Sequence, residues 1–304
     1  MSITALDGPL IVNGQLQTAG SYNPDLGPSV FWAGMAILDP RSGYDFGGGG
    51  GSINVTAWGA TGDLMVIDYA PSTLSTTAIA AAQTPTAGTK LTLVSSTGSG
   101  ITVVSTATQV FPSGNVIPVG TLAIDGLPGL VSMGQTGAIA LYDPTKMAAR
   151  NVQIASVGND STATFTVRGY DVYGYAMSET ITGANAGTAA GKKAFKFVSS
   201  ITPAGTLSGS NVSAGQGDTY GFPLRTDSFA YVYIVWANSA VTSSATGTFT
   251  YADTTNPATS TTGDVRGTWK TNSASNGTNV LQVLAIPKIA NLNSATGLFG
   301  VTPA

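Results

Sequence analysis

The side chains of this chain that could take part in chemistry are few, and most of the acids are aspartates. The 304 residues include 15 acidic and 12 basic side chains, no histidine and no cysteine. The chain therefore lacks the commonest general base and metal ligand, and it has no thiolate or disulfide. A Ser-His-Asp triad is excluded. What remains is carboxylate chemistry, cation binding by oxygen ligands, and phosphate binding by backbone amides.

Two pairs of acidic residues could meet across neighbouring strands, Asp63 with Asp68 and Asp171 with Glu179. Glycoside hydrolysis needs two carboxyl groups roughly 5–10 Å apart. Carbohydrate clefts usually also contain aromatic platforms, whereas the aromatic residues here follow strand patterns or lie near the N-terminus. We therefore expect no enzymatic activity, and a small β-structured hydrolase is a rival hypothesis.

The segment GANAGTAAGKKAF, residues 183–195, approaches a phosphate-binding loop but does not match it. The pattern needs glycine at position 186 and a hydroxyl residue at 193, where this chain has Ala186 and Lys193. We predict an open loop with two solvated lysines. The turns VGNDST, residues 157–162, and GQGDT, residues 215–219, are typical of side-chain-capped Asx turns rather than of calcium loops. No cofactor and no metal site is expected.

The elements that would position these groups are predicted to be β-strands. Charged residues make up 9% of the chain, against about 25% in an average domain. Its surface must therefore consist mainly of Ser, Thr, Asn and Gly, which suit strands and turns. Short alternating segments recur from Ser52 onward, and only residues 75–83 and 144–150 suggest helical turns. We predict an all-β fold, an antiparallel β-sandwich or barrel of immunoglobulin-like or jelly-roll-like form.

The clearest strand signals lie in the second half of the chain. The stretch TATFTVRGYDVYGYAMSETIT, Thr162–Thr182, reads as a hairpin whose turn contains Asp171 and Gly174. The stretch FAYVYIVWA, Phe229–Ala237, is apolar or aromatic on both faces. Such a strand is either central in a core or covered by another subunit, and the sequence leaves both alternatives open.

Three regions are predicted along the chain. Residues 1–51 form an extended arm and linker, because prolines interrupt any long element and the segment ends in five glycines. Residues 52–147 form a β-rich domain, and residues 148–304 form a β-sandwich domain. The arm would wrap a neighbouring subunit; the alternative is an edge strand on its own domain. Its candidate interface residues are Tyr22, Pro24, Leu26, Phe31, Trp32, Met35 and Ile37.

Charge and hydropathy bear on the possible partners. The longest apolar run, Val30–Leu38, is about half a membrane span, and no secretory signal is visible in the first residues. No basic cluster occurs beyond Lys192–Lys193, so nucleic acid is not an expected partner. The net charge of −3 gives little colloidal repulsion, which favours self-association. Alternatively, abundant alanine inflates the apolar content.

Several sequence segments resemble those of the structural proteins of tailed-bacteriophage virion gene clusters. They are VGNDSTATFTVRGYDVYGYAMSETITGANAGTAAGKKAFKFVSSITP, then VSAGQGDTYGFPL, then DTTNPATSTTGDVRGTW, within residues 151–269. The stretch YNPDLGPSVFWAGMAILDP is similar to the same proteins. The turn from Asp171 to Gly174 is also similar to that of bacterial immunoglobulin-like modules.

This resemblance implies a capsid decoration (cement) protein. Such a protein would be made in the host bacterial cytoplasm and would end on the virion surface, where it binds the outside of the major capsid shell across subunit junctions. Its partners would be the major capsid protein and further copies of itself, and no catalytic residue is carried over. The alternative is a tail or fibre protein, or an adhesin that binds host glycans.

Overall fold

The chain is an all-β protein, as predicted. The computed structural model describes residues 70–93, 149–172, 174–236, 247–288 and 300–304, together with short strands elsewhere. No helix occurs in any of these described parts, and hence none that could cross a membrane. The antiparallel sheets curl into a half-barrel.

The strands within the described residues are numbered in chain order. The first twelve are β1 Ile11–Val12, β2 Gln15–Leu16, β3 Met35–Leu38, β4 Tyr44–Asp45, β5 Ser52–Ile53, β6 Leu64–Tyr69, β7 Ser75–Gln83, β8 Thr102–Val103, β9 Thr108–Val110, β10 Val116–Pro118, β11 Leu122–Ala123 and β12 Gly129–Ser132. The others are β13 Ala138–Leu141, β14 Arg150–Asn159, β15 Ala163–Tyr170, β16 Ala176–Thr182, β17 Asn185–Phe195, β18 Phe197–Gly205, β19 Val212–Gly221, β20 Ser228–Trp236, β21 Ser239–Val241, β22 Gly247–Thr250, β23 Thr268–Thr271 and β24 Leu281–Lys288.

Three large sheets contain most of these strands. The six-stranded sheet has the order β17-β14-β19-β23-β22, and β7 also pairs with β19. The two five-stranded sheets have the orders β16-β15-β18-β11-β8 and β21-β20-β24-β6-β3. Each large sheet thus joins strands from both sides of residue 148, the boundary expected from the sequence. Among the described pairings, only β9 with β13 is parallel.

The first core lies between the β15–β16–β18 layer and the β7–β14–β19 layer. Alternation in β15 buries Ala163, Phe165 and Val167, while Thr164 and Thr166 are half-buried. The predicted hairpin is therefore confirmed, with β15 and β16 as its arms. The same core contains buried residues of both layers, among them Ile79, Val152, Ile154, Ile181, Val198, Ile201, Val212 and Ala214.

A second core, rich in aromatic residues, joins β19 and β23 to β20 and β24. Tyr220, Trp236 and Trp269 are buried, with ring centroids 6.2–6.4 Å apart. Of the two alternatives for the aromatic strand, Ile234 and Trp236 follow the core alternative, since both are buried in this cluster.

Two local predictions were wrong. Residues 75–83 form strand β7 rather than a helical turn, since Ile79 and Ala80 are fully buried in the first core. At Gly215 a Cβ atom would collide with the carbonyl of Ser75, so glycine permits β7 to lie against β19. Residues 185–195 form strand β17 rather than a loop, because Phe195 is buried and the segment pairs with β14. Tertiary packing overrides the weak strand propensity of Ala and Gly.

Candidate interaction surface

The predicted interface residues fall partly on the described chain. Met35 and Ile37 lie in β3, which pairs antiparallel with β6 and is the last strand in the order of its sheet. Both residues therefore lie in a strand at the edge of a sheet of their own chain. The other predicted interface residues, Tyr22, Pro24, Leu26, Phe31 and Trp32, lie outside the described residues. Their role at an interface stays a prediction.

The acidic side chains that the structure describes are engaged by groups of the chain itself. Asp171, expected as a possible catalytic acid, forms an ion pair with Arg266 at 2.7 Å, and Asp171 is fully buried. Its second oxygen accepts a hydrogen bond from the backbone N–H of Tyr175 at 2.8 Å, which closes the predicted turn. Asp171 is therefore a structural residue of this turn. Asp63 and the side chain of Asp68 lie outside the described part.

Arg150 is the centre of a buried polar cluster that no sequence motif indicated. Its side chain is fully buried, and its guanidinium lies 5.1 Å from the centroid of the Tyr220 ring. It donates to the carbonyls of Gly217 and Ser72 and to the side chains of Ser72, Asp218 and Ser275, at 2.8–3.1 Å. The planar fork of arginine suits this many acceptors. The cluster fastens β14 and β19 to two segments distant in sequence.

Glu179 is buried against the backbone of β17. It pairs with Val167 across the hairpin, so Arg168 does not face it and instead pairs with Ser178. The Glu179 carboxylate accepts hydrogen bonds from the backbone N–H groups of Lys192 at 2.6 Å and Lys193 at 3.2 Å. Burial raises the pKa of Glu179 from its ordinary value of 4.5 to about 7, although both hydrogen bonds oppose the rise.

The Asp264 carboxyl group accepts the next backbone N–H along β17. It accepts a hydrogen bond from the backbone N–H of Ala194 at 3.0 Å and another from that of Arg266 at 2.9 Å. Burial raises the pKa of Asp264 above its usual range. Consecutive backbone N–H groups at 192, 193 and 194 therefore end on buried carboxyl groups, so this part of β17 has no free donors at its edge.

The segment 259–262 covers the adjacent edge strand β16. The backbone N–H of Thr180 donates to the carbonyl of Ser260 at 2.8 Å, and their hydroxyl groups are 2.9 Å apart. The ammonium group of Lys193 donates to the carbonyl of Thr259 at 2.7 Å, and burial lowers the pKa of this lysine. The Ala304 oxygen accepts from the backbone N–H of Ser178. Edge strands left open invite pairing with other chains, and here β16 is covered.

The opposite half of β17 is open. Residues 185–190 are exposed apart from the half-buried Ala189, and in the described part of the chain β17 pairs only with β14. No charged residue occurs between positions 183 and 191. A solvent-accessible strand edge without charge is therefore the most distinctive interaction surface of the described chain.

The polar turns weighed as calcium sites form internal hydrogen bonds. The Asn159 side chain accepts from the backbone N–H of Ser161 at 3.2 Å and from its hydroxyl at 2.7 Å, the pattern of an Asx turn. Asp160 accepts from the backbone N–H of Ser208 at 2.7 Å. Among the described residues, no group of three or more possible acidic ligands is gathered for a metal ion.

The aromatic group around Tyr251 reaches the surface. Tyr251 is 49% exposed, and its ring lies 6.0 Å from that of Phe229, which contacts Phe249 at 4.9 Å. Beside it, Arg225 and Asp227 form a two-bonded ion pair at 2.8–2.9 Å. This cluster continues the second core outward.

Comparison with known proteins gives no relatives: no protein-family model, no curated protein and no solved structure matches this chain.

Proposed function

We propose that this chain is a non-enzymatic structural component of a bacteriophage particle, a capsid decoration (cement) protein. It would bind the outer surface of the major capsid shell across subunit junctions, with further copies of itself, and so stabilise the virion. The residues of the arm, above all Phe31 and Trp32, would bind the neighbouring shell subunit.

The observation that carries this proposal is how the described charged groups are used. The carboxylates of Asp171, Asp218 and Asp227 pair with buried arginines, and those of Glu179 and Asp264 cap backbone amides. Such groups hold strands together rather than meet a substrate. What remains outside is a surface rich in Ser, Thr and Gly, which suits contact with other protein surfaces. The resemblance of several segments to phage virion proteins gives this surface its expected partner.

The mechanism would be modest interface burial repeated many times. Buried area converts poorly into affinity for a single contact, which would contribute on the order of several kcal/mol. Repetition around a shell multiplies the effect, because a copy anchored at one point rebinds at a second point at high effective concentration. No catalytic or cofactor site is needed for this function.

The test is binding of the purified full-length chain to phage capsids prepared without it. We expect the wild-type chain to co-sediment with capsids and to raise the temperature at which they release DNA. The variant F31A/W32A should lose most of this binding, since two aromatic anchors are removed. The matched control is Y251A, which removes an exposed aromatic ring outside the arm and should bind normally.

Substitution is preferable to deletion of the arm for one structural reason. Strand β3 pairs with β6, so removal of residues 1–46 would also take a strand from a sheet. Absence of the chain from capsids at every concentration would refute the proposal. Binding to host cells but not to capsids would favour the alternative of a tail or fibre adhesin.

A further inference from the structure

The edge of β17 changes character abruptly along its length. From Lys192 to Ala194 the backbone N–H groups end on the carboxyl groups of Glu179 and Asp264. From Asn185 to Ala190 no such cap occurs and the strand is exposed. The neighbouring edge strand β16 is covered by the segment 259–262. Among the described residues, the strand edges around this point are therefore covered, except for the short stretch 185–190 of β17.

The direction of the open backbone groups follows from the register. The N–H of Val157 in β14 donates to the carbonyl of Asn211, on the β19 side. Since backbone groups alternate along a strand, Ala155 also turns its N–H and C=O toward β19. Thr188 lies opposite Ala155. Thr188 must therefore turn its own N–H and C=O away from β14, toward solvent, and Ala190 does the same.

We propose that this open edge is a dimerisation site, at which β17 of a second copy pairs antiparallel with residues 187–189 about a two-fold axis at Thr188, so that the two Thr188 residues lie opposite each other and exchange both backbone hydrogen bonds. The occupant must be an extended backbone, because only a strand satisfies a row of alternating donors and acceptors. A second copy is the occupant that this segment fits best, because two-fold dimers are the commonest assemblies of soluble proteins. Pairing about a two-fold axis would bring like charges together, and residues 183–191 contain no charge that would oppose it.

The surroundings permit this approach. A Cβ atom added at Gly187 would meet nothing closer than the Ala184 Cβ at 4.0 Å, so the face of the sheet is uncrowded at this point. Lys192 is the nearest charged residue along the sequence, and its ammonium group donates to the carbonyl of Thr261 at 2.5 Å within its own chain. The proposal concerns association of the purified chain alone and does not rest on capsid binding.

The first experiment uses engineered thiols, because the chain contains no cysteine. The variant Thr188→Cys should form a disulfide-linked dimer under mild oxidation, since paired residues near the axis come within disulfide reach. The matched control is Val157→Cys, which is 71% exposed. In the paired sheet its two copies would be separated by at least about 14 Å, the width of three strand spacings, and would not cross-link.

The second experiment measures the dissociation constant by sedimentation over a concentration series. Thr188→Pro removes one outward N–H from each copy and should raise the constant by about thirtyfold, because two interchain hydrogen bonds are lost. Thr188→Val keeps the N–H and should leave the dissociation constant unchanged. Should the proline variant not fold, the thiol experiment decides alone. Any of three results would overturn the proposal. The wild type could be monomeric, Thr188→Cys could cross-link no faster than Val157→Cys, or Thr188→Pro could dimerise with the same dissociation constant as the wild type.

Discussion

Asp171 and Arg266 form a buried ion pair at 2.7 Å that ties the turn of the β15–β16 hairpin to the segment before β23. The side chains are 0% and 5% exposed. Removing one member of such a pair leaves an uncompensated buried charge, which costs far more than the pair itself contributes.

The variant R266M should therefore lower the free energy of unfolding by about 3–5 kcal/mol, measured by urea denaturation. The matched control is R168M, since Arg168 is an exposed arginine of the same hairpin and its loss should change stability by less than about 0.5 kcal/mol. Equal effects of the two substitutions would contradict a structural role for the pair.

Glu179 should make stability depend on pH. Its pKa is raised from 4.5 to about 7 by burial, so between these values the folded chain binds more protons than the unfolded chain. Stability contributed by the protonated form is then complete below pH 4.5 and falls as pH rises, by about 3 kcal/mol up to pH 7. The variant E179Q cannot ionise at this position and should not lose this stability. Urea unfolding of the wild type and of E179Q at pH 5 and pH 8 should show the difference. An equal change in stability of the two proteins between these pH values would contradict the prediction.

Gly191 should be irreplaceable and Gly187, on the same strand, should not be. A Cβ atom at Gly191 would lie 2.5 Å from a Glu179 carboxylate oxygen and 3.0 Å from the carbonyl of Val152. We expect G191A to destabilise the chain by about 1–3 kcal/mol through overpacking. G187A should be neutral or stabilising by up to about 1 kcal/mol, because alanine restricts the unfolded chain. Thermal unfolding of both variants provides the comparison, and a tolerant Gly191 would show that the Glu179 site is looser than described.

Arg150 should not be replaceable by lysine. A single ammonium group cannot reach the carbonyls of Gly217 and Ser72 and the carboxylate of Asp218 together, so buried acceptors would be left without donors. R150K should cost about 2–4 kcal/mol in the free energy of unfolding. The control is R168K, since Arg168 is exposed, and this substitution should leave the free energy of unfolding unchanged. If the two lysine variants unfold at the same urea concentration, the fork geometry of Arg150 is unimportant.

The strand content was predictable because it depends on local pattern. The period-two alternation of β15 and the apolar run of β20 are visible in the sequence, and both strands form where expected. β7 and β17 were missed because their alanines carry little strand signal and only packing on β14 and β19 selects the extended form.

The polar clusters could not be predicted for a related reason. Arg150 meets Ser72 and Ser275, and Glu179 meets the backbone of Lys192, only after distant strands have paired. No spacing rule links such positions. The turn at Asp171 was recognised from its own residues, but its partner Arg266 lies outside any local motif.

The pairing of β6 with β24 has a consequence for how this polypeptide reaches its native state. Strand β6 is translated long before its partner β24, and β7 long before β19. Loops this long close slowly, so folding is expected to be slow. Until β24 has been translated, β6 lacks its partner and is exposed on the ribosome, which makes a nascent chain of this topology a natural client for chaperones.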